Sequence, residues 1–317
     1  MKILVTRKIP SVAIDFLRQN GFEILINNKN RPLSRDELIR KSKDADGIVA
    51  LLTDKFDKDV INKLTRCKVI ANYAVGFNNI DIDYAKKKGI VVTNTPDVLT
   101  DSTADLTMTL VLSCARRVIE GHSMIIKRKF KGWQPELLLG MELKNKTFGI
   151  IGAGRIGNAV AQRAKAFGCS IIYFSDIANK KMENEITAKR VSLEKLLMNA
   201  DIISVHLPLN SKTKYMLNAE RLSLLKSSAI LINTSRGEVI EEKALIKLLK
   251  ENKIFAAGLD VFENEPNINP KLSALNNVVL LPHIGSATIE ARNAMAMLAA
   301  KNIAAVLSGK KPLTPVN

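Results

Sequence analysis

Short apolar runs alternate with amphipathic helical patterns along the whole chain. In its N-terminal part, the apolar runs that predict strands lie at 2–6, 23–26, 47–52, 69–74 and 91–93. The segments between them include 12–20 and 35–43, where apolar residues recur at helical spacing. Alternating strands and helices are typical of βα units and a parallel sheet, so we predict a first α/β unit over this stretch.

A long helix predicted over 101–118, with Asp101 or Ser102 as its N-cap, leads into a second series of strands. The predicted strands of this series lie at 147–151, 171–174, 202–206, 230–234, 255–259 and 278–281. The helical patterns between them lie at 156–167, 193–199 and 241–251. Together these elements form a complete doubly wound set.

An alanine-rich amphipathic helix predicted over 288–307 ends the pattern, and no strand follows it. Since it cannot close another unit of its own sheet, we expect it to return to the first unit. The chain then crosses between the units twice, and the second unit is an insertion. We therefore predict an α/β fold of two Rossmann-like, doubly wound parallel-sheet domains, with boundaries at 1–98 plus 286–317 and at 99–285.

The composition of the 317 residues, 46% hydrophobic and 25% charged, is typical of soluble globular proteins. The N-terminal apolar run is too short for a signal peptide or a membrane span, so we expect a cytoplasmic protein with no membrane partner. Three cysteines, Cys67, Cys114 and Cys169, form no C-x-x-C pair, which argues against a disulfide framework or a metal site. We expect all three to be buried or half-buried thiols.

The formal net charge of +17 raises the question of a nucleic-acid partner. The densest basic run is Lys127, Arg128, Lys129 and Lys131. Lysines are scattered through the whole chain, however, and no helix carries a basic stripe interleaved with aromatic residues. We therefore expect no nucleic-acid partner, whereas a basic surface favours encounter with a small anionic substrate.

A glycine motif, Gly152-Ala153-Gly154-Arg155-Ile156-Gly157, follows a predicted strand and opens a predicted helix. The first glycine permits a tight turn, the second lets the backbone approach a pyrophosphate, and the third allows close helix packing. The free N–H groups of the helix N-terminus suit an anion. A lone match of this kind is weak, but its position between strand and helix supports a dinucleotide site.

The next predicted strand ends in Ser175 and Asp176. An acid at this point of the fold binds the adenosine ribose hydroxyls and repels a 2′-phosphate, which favours NAD over NADP. Lys180 and Lys181 follow closely and could attract a phosphate, so NADP stays open.

Three candidate chemical residues, Arg236, Glu265 and His283, follow separate predicted strands of the second unit. Singly, each is more often a surface or turn residue. Together they suit hydride transfer to a 2-oxo acid, because a guanidinium binds a carboxylate and polarises a ketone while histidine donates the proton. A carboxylate beside that histidine favours its charged form. Of the other histidines, His122 has a surface pattern and His206 ends a strand where it could touch cofactor.

Several long motifs resemble the D-isomer-specific 2-hydroxyacid dehydrogenase family, most closely its glyoxylate/hydroxypyruvate reductase branch. Besides the glycine motif, these motifs are Asn72-Tyr73-Ala74-Val75-Gly76-Phe77-Asn78-Asn79-Ile80-Asp81, Thr93-Asn94-Thr95-Pro96-Asp97, Asn233-Thr234-Ser235-Arg236-Gly237, Leu259-Asp260-Val261-Phe262-Glu263-Asn264-Glu265-Pro266 and Pro282-His283-Ile284-Gly285-Ser286-Ala287-Thr288. They occur in the family's order from about residue 49 to residue 313.

This resemblance implies reduction of a small 2-oxo acid, with glyoxylate or hydroxypyruvate favoured, to its D-2-hydroxy acid by hydride from NADH. It implies that Arg236 binds the substrate, Glu265 supports the histidine and His283 is the acid/base. It assigns substrate-carboxylate contacts to the backbone of Val75 and Gly76. The first domain is then the substrate domain and the second the NAD(P) domain. The resemblance also implies a homodimer formed through the second domain, with the long helix and the Trp133 loop contributing.

The cofactor contacts we expect are Thr103, Gly152, Gly154, Arg155, Ile156, Gly157, Ser175, Asp176, His206, Thr234, Ser235, Asp260 and His283. Close relatives often carry arginine in place of Asp176 and then prefer NADP, so this residue departs from them and favours NADH. Two alternatives stay open. One is a dinucleotide-sensing binding protein similar to the family's co-repressors, and the other is a dehydrogenase for another acid such as D-lactate or 3-phosphoglycerate.

Overall fold

The chain folds into two α/β units in the computed structural model, which describes residues 1–317. The first unit consists of Met1–Leu99 and Ser286–Asn317, and the second of Thr100–Gly285. Both sheets are parallel throughout, and the second unit is inserted in the first. The fold class predicted from the alternating pattern is confirmed. No helix has the length and apolar character that crossing a bilayer requires.

The first unit is built on a five-stranded sheet in the order β2-β1-β3-β4-β5. Its strands are β1 (Lys2–Val5), β2 (Glu23–Ile26), β3 (Gly47–Ala50), β4 (Val69–Asn72) and β5 (Val91–Thr93). Its helices are α1 (Ser11–Gln19), α2 (Arg35–Ser42), α3 (Lys58–Asn62), α4 (Ile82–Lys87) and the C-terminal helix (Ile289–Leu307). The three central strands are buried on both faces, as their unbroken apolar runs predict.

The C-terminal helix packs against α1, β3 and β4, so it belongs to the first unit as its pattern predicts. Half of its buried residues are alanine, which lets it lie close to the sheet, and the Cγ2 atom of Ile303 lies against Gly47. The residues that follow it turn back along the free edge of β5, where Val316 donates a backbone hydrogen bond to Val92 at 2.9 Å. This edge is therefore covered rather than open.

The second unit is built on a seven-stranded sheet in the order β12-β11-β10-β9-β6-β7-β8. Its strands are β6 (Thr147–Ile151), β7 (Ser170–Phe174), β8 (Lys189–Arg190), β9 (Ile202–Val205), β10 (Ile230–Asn233), β11 (Ala256–Leu259) and β12 (Val278–Leu280). Its helices are α5 (Thr100–Ala115), α6 (Val118–Ile126), α7 (Arg155–Ala166), α8 (Lys180–Ile186), α9 (Leu193–Asn199), α10 (Ala219–Leu222), α11 (Glu242–Lys250) and α12 (Pro270–Ser273). The helices cover both faces of the sheet, with one apolar core on each.

The long helix predicted over 101–118 is shorter in the structure. It ends at Ala115, and Arg117 takes the left-handed conformation (φ +51°) before α6 begins at Val118. The Arg117 guanidinium binds Glu120 through two hydrogen bonds of 2.9 and 2.7 Å, which holds the bend. No glycine or proline marks the break, so the prediction of one continuous helix was wrong there.

Several strands of both sheets end one or two residues earlier than the apolar runs predict. Thr6, His206 and Thr234 thus lie outside β1, β9 and β10, in the loops that follow. These strands end one residue before the predicted runs do. The three polar side chains therefore lie at the carboxyl edge of each sheet.

We predict that Ile303→Ala lowers the free energy of unfolding of the first unit by about 2–5 kcal/mol, the usual cost of truncating a fully buried Ile. Urea denaturation followed by circular dichroism measures this. Lys301→Ala, an exposed position of the same helix, is the control and should shift the midpoint little. Equal midpoints for the two variants would contradict the packing described for this helix.

Candidate active site

The carboxyl ends of β6, β9, β10, β11 and β12 lie along one edge of the seven-stranded sheet, because every pair in it is parallel. The chain order reverses between β6 and β9, which is where open α/β sheets bind their ligands. Arg236, Glu265 and His283 each lie in a loop that follows one of these ends.

His283 and Glu265 contact each other directly at this edge. The Nδ1 atom of His283 lies 2.7 Å from Oε2 of Glu265, and both side chains are about one-third exposed. The other carboxylate oxygen, Oε1, accepts a hydrogen bond from the backbone N–H of Phe262 at 3.0 Å. Both oxygens of Glu265 are thus used, and the imidazole is fixed in orientation by the carboxylate it faces.

The charge on Glu265 decides which nitrogen of His283 exchanges protons. Burial by itself raises the pKa of Glu265, but the hydrogen bond and charge of His283, the Phe262 N–H and the charge of Arg236 together lower it. An ionised carboxylate only accepts hydrogen bonds, so Nδ1 must carry a hydrogen. The nitrogen left to take up or release a proton is therefore Nε2.

Arg236 follows β10 and begins a short 3-10 helix, Gly237–Val239. Its backbone carbonyl accepts from the side-chain amide of Asn233 at 2.8 Å, and its own Nη1 donates to the carbonyl of Ser235 at 2.6 Å. Burial lowers the pKa of Arg236, against the opposing effect of Glu265 and Glu238. An arginine side chain is not deprotonated in proteins, so the group is a cation at neutral pH.

Asp260 fixes the segment that carries His283. The Asp260 carboxylate accepts from the backbone N–H groups of Ile284 and Gly285, both at 2.7 Å, while His283 itself takes a left-handed conformation (φ +55°). Burial raises the pKa of Asp260, and these two N–H groups and His283 oppose that rise. A strained backbone at a candidate proton donor is thus held by a side chain from the neighbouring strand end.

The glycine motif lies between β6 and α7, as predicted. Gly152 has φ +98°, and a Cβ atom there would lie 2.7 Å from the carbonyl oxygen of His206; one at Gly157 would lie 2.1 Å from that of Gly152. At Gly154, by contrast, a Cβ atom would meet no protein atom within 4 Å. The two outer glycines are therefore required by packing, while the middle one leaves open space at the uncapped N-terminus of α7.

Two residues that the sequence did not single out hold the loops beside this motif. Asn179 donates from its side-chain amide to the carbonyl of Ala153 at 2.8 Å. Arg190 on β8 donates to the backbone carbonyls of Ser175 and Asp176 at 3.0 and 2.7 Å. Asp176 is exposed at the end of β7. The hydrogen bonds from Arg190 hold the backbone of the loop that carries it.

The remaining predicted cofactor contacts also lie at this edge. The Oγ1 atoms of Thr107 and Thr234 are 2.9 Å apart, and Thr107 also donates to the carbonyl of Thr103 at 2.8 Å. Ser235 donates from both its N–H and its hydroxyl to the side chain of Asn233. Arg155 and Ile156 begin α7 directly after the glycine loop.

His206 differs from His283 in its surroundings. Its Nε2 atom lies 2.8 Å from the hydroxyl of Ser204, and no carboxylate pairs with it. Burial lowers the pKa of His206 to about 3. The ring is therefore neutral at pH 7, which makes it unfit to deliver a proton there. The third histidine, His122, is exposed on α6.

Val75 and Gly76 lie in the first unit, in the loop after β4. Neither backbone N–H donates a hydrogen bond, whereas both carbonyls accept one, from Asn94 and Asn72 respectively.

The three cysteines are buried and free, and burial raises the pKa of Cys67 and Cys114 to about 12. Their burial agrees with the expectation of buried or half-buried thiols.

Comparison with known proteins gives matches over both units. Residues 108–285 match a family model described as D-isomer specific 2-hydroxyacid dehydrogenase, NAD binding domain. The sequence is 47% identical over 320 aligned residues to a protein named glyoxylate reductase in Pyrococcus furiosus, and the alignment covers 100% of this chain and 95% of that protein.

Solved structures give the same result. A protein from Thermus thermophilus superposes with a TM-score of 0.94 at 42% identity, with 100% of both chains covered. The NADPH-dependent glyoxylate/hydroxypyruvate reductase of Sinorhizobium meliloti, solved with NADP and malonate, superposes with a TM-score of 0.86 at 34% identity, covering 99% of this chain and 96% of that one. The likeness is therefore not confined to the unit that carries the glycine motif.

We predict that His206 makes folding stability depend on pH. Because its pKa is about 3 when folded and about 6.5 in the unfolded chain, the stability it contributes is present above pH 6.5 and is lost as pH falls towards 3. Between pH 7.5 and 5.5 this amounts to about 1 kcal/mol. Urea denaturation of the wild type and His206→Gln at both pH values measures it. A stability difference between the two proteins that does not change with pH would contradict the lowered pKa of this ring.

Proposed function

The chain belongs to the D-isomer specific 2-hydroxyacid dehydrogenase family, and from that premise we propose that it reduces glyoxylate to glycolate, or hydroxypyruvate to its D-2-hydroxy acid, with NADH. Family membership confirms the resemblance read from the motifs, and the chain is an NAD(P)-dependent oxidoreductase. The observation that carries the proposal is the 2.7 Å contact between His283 and Glu265 at a strand end adjacent to that of Arg236. The choice of substrate is supported by the names of the relatives.

The glycine loop fits the pyrophosphate of a dinucleotide. The open space at Gly154 and the N-terminus of α7, which no side chain caps, suit a phosphate group, and Gly152 and Gly157 keep the loop close to the sheet. Arg155 and Ile156 begin α7 within this motif, and the His206 carbonyl lies against Gly152. Thr234, Ser235 and Asp260 follow β10 and β11. The carbonyl of Thr103 accepts from Thr107, whose hydroxyl also contacts that of Thr234. When bound, the nicotinamide supplies or accepts a hydride.

Asp176 supports a preference for NADH. Its carboxylate is exposed at the end of β7, where it suits the two ribose hydroxyls and repels a 2′-phosphate. Ser175 lies beside it, and Arg190 donates its hydrogen bonds to the carbonyls of these two residues. Lys180 forms an ion pair with Glu183 at 2.8 Å, so its charge is partly neutralised.

His283 is assigned the proton transfer. As the ketone carbon gains a hydride, the carbonyl oxygen gains electron density, and the Nε2 proton of the imidazolium moves to it to give the hydroxyl. Glu265 stabilises the imidazolium through Nδ1 and prevents the ring from turning. In the oxidative direction the neutral ring accepts the hydroxyl proton at the same atom.

We assign to Arg236 the binding of the substrate carboxylate and the polarisation of the substrate carbonyl group. A guanidinium binds the carboxylate and the ketone oxygen of a 2-oxo acid together, which orients the substrate and favours negative charge developing on that oxygen. The backbone N–H groups of Val75 and Gly76 are assigned further contacts with the carboxylate. Their lack of hydrogen bonds to protein atoms supports this assignment.

We further propose that two copies associate through the second unit. The segment from α6 to Trp133 exposes a run of large apolar side chains: Val118, Ile119, Ile125, Ile126, Phe130 and Trp133, the last 83% exposed. An apolar surface of this kind is typical of an interface. A second copy of the same segment is the occupant we assign to it.

The reduction is tested by assaying the purified protein with glyoxylate, hydroxypyruvate, pyruvate and phosphohydroxypyruvate, each with NADH and NADPH.

We predict that His283→Ala lowers turnover by on the order of 10² or more, the range for a lost general acid, while NADH affinity changes little. Loss of reduced cofactor measures turnover, and quenching of protein fluorescence measures binding. His122→Ala is the control. Full activity of His283→Ala would assign the proton to another group, and inactivity of the wild type in every pairing would refute the enzyme function.

We predict that Asp176→Ala narrows the preference for NADH over NADPH, because it removes the charge that repels the 2′-phosphate. The ratio of kcat/KM for the two cofactors measures this. Glu185→Ala removes an exposed charge from the adjacent helix α8 and controls for net charge. An unchanged ratio in Asp176→Ala would separate this residue from cofactor choice.

A further inference from the structure

In the loop after β4, backbone carbonyls form hydrogen bonds with the protein while backbone N–H groups do not. The carbonyls of Ala74, Val75 and Gly76 accept from the backbone N–H of Thr95 and from the side-chain amides of Asn94 and Asn72, at 2.9, 2.8 and 2.8 Å. The N–H groups of Val75, Gly76 and Phe77 donate to no protein atom. Three consecutive carbonyls thus have hydrogen-bond partners in the protein, and three consecutive N–H groups have none.

The planarity of the peptide bond links these two facts. The carbonyl of one residue and the N–H of the next belong to the same rigid unit and point in opposite directions when the bond is trans. The only cis bond of this chain is Glu265–Pro266. A hydrogen bond that fixes the carbonyl of Val75 therefore fixes the N–H of Gly76 in the opposite direction, and the Gly76 carbonyl does the same for Phe77.

We propose that Asn94 and Asn72 are positioning residues that hold the peptide units of this loop so that its N–H groups bind the carboxylate of the substrate. The inference rests on the proposed function, which assigns the substrate carboxylate to Val75 and Gly76. Neither asparagine touches the substrate. Each acts through the carbonyl that it binds.

Asn94 is itself held by the C-terminal part of the first unit. Its backbone N–H donates to the carbonyl of Thr314 at 3.2 Å, and its own carbonyl accepts from the Thr314 hydroxyl at 2.6 Å. Thr314 in turn binds the buried side chain of Asn302 on the C-terminal helix, at 2.9 and 3.1 Å. The orientation of the loop is thus determined by a relay of hydrogen bonds that ends in this helix.

Asn72 is fully buried and belongs to a second relay. Its amide lies 3.3 Å from that of Asn79, and Asn79 donates to the carbonyls of Leu51 and Asp54 at 3.1 and 3.0 Å. The two relays approach the loop from β5 and from β3. They bind adjacent carbonyls, so neither peptide unit is free to turn.

An uncharged amide is the chemistry that this role requires. It donates to a carbonyl without placing a charge behind the peptide unit, so the opposite N–H keeps its partial positive charge for an anion. An aspartate in its place would only accept when ionised, and it would repel the Val75 carbonyl. A protonated aspartate, however, regains one donor.

The test uses two variants of the full chain, Asn94→Asp and Asn94→Ala. Both should raise the KM for the 2-oxo acid by on the order of tenfold or more, as expected for a weakened charge-assisted hydrogen bond, while kcat falls less and the dissociation constant of NADH stays unchanged. For Asn94→Asp the KM relative to wild type should fall back as pH is lowered towards the ordinary carboxyl range. For Asn94→Ala this ratio should not depend on pH.

The control is Asn27→Asp, which makes the same change at a buried asparagine elsewhere in the first unit. Asn27 donates to the carbonyls of Thr6 and Arg31 at 3.0 and 3.2 Å and braces a different loop. Circular dichroism and thermal melts report whether each variant folds. A KM increase in Asn27→Asp equal to that in Asn94→Asp would mean that the effect is general destabilisation and would overturn the proposal.

Calorimetric binding of oxamate to the NADH-bound protein separates this proposal from the proposed function. Weaker oxamate binding in both Asn94 variants, with equal NADH binding, supports the positioning role even if no 2-oxo acid is turned over, and in that case only the proposed function fails. Unchanged oxamate affinity and unchanged KM in both variants would overturn the positioning role. A wild type that neither binds oxamate nor reduces any 2-oxo acid would overturn both.

Discussion

The arrangement of the candidate catalytic residues depends on the parallel pairing of β10, β11 and β12. Their register pairs Asn233 with Leu259 and Leu259 with Leu280, so the three strands end side by side. Arg236, Glu265 and His283 are then carried by loops that begin at adjacent points of one edge. Glu265 and His283 lie eighteen positions apart in the chain. Their 2.7 Å hydrogen bond follows from the pairing of the strands and from the conformations of the two short loops.

Loops at the end of a parallel sheet leave backbone groups without ladder partners, and buried or half-buried polar side chains bind them here. In the second unit, Asp260 binds two N–H groups after His283 and Asn233 binds the carbonyl of Arg236. In the first, Asn72 and Asn94 bind the carbonyls of Gly76 and Val75. Each contact fixes a loop that has no regular secondary structure. Removing one would leave a buried polar group unpaired, which makes these positions costly to alter.

Two histidines at separate strand ends of the same sheet edge show how surroundings determine the chemistry of a side chain. His206 is paired with a hydroxyl, and burial lowers its pKa to about 3, so it remains neutral. His283 faces a carboxylate whose own pKa is lowered and which therefore stays ionised. The difference lies in the partners that the fold supplies. One ring is therefore a candidate for proton transfer through Nε2, and the other is a neutral group beside the glycine loop.

The amino-acid pattern was sufficient to predict the alternation of strands and helices, the position of the glycine loop between β6 and α7, and the return of the C-terminal helix to the first unit. These features follow from local periodicity and from the steric demands of glycine, which a single chain displays directly. The break between α5 and α6 was beyond such reasoning, because it depends on the left-handed Arg117 and its contact with Glu120. Only the folded chain shows which side chains brace which loops. Asn72, Asn94, Asn179, Arg190 and Asn233 carry no periodic signal, and each obtains its role from a backbone group that folding brings within hydrogen-bond distance.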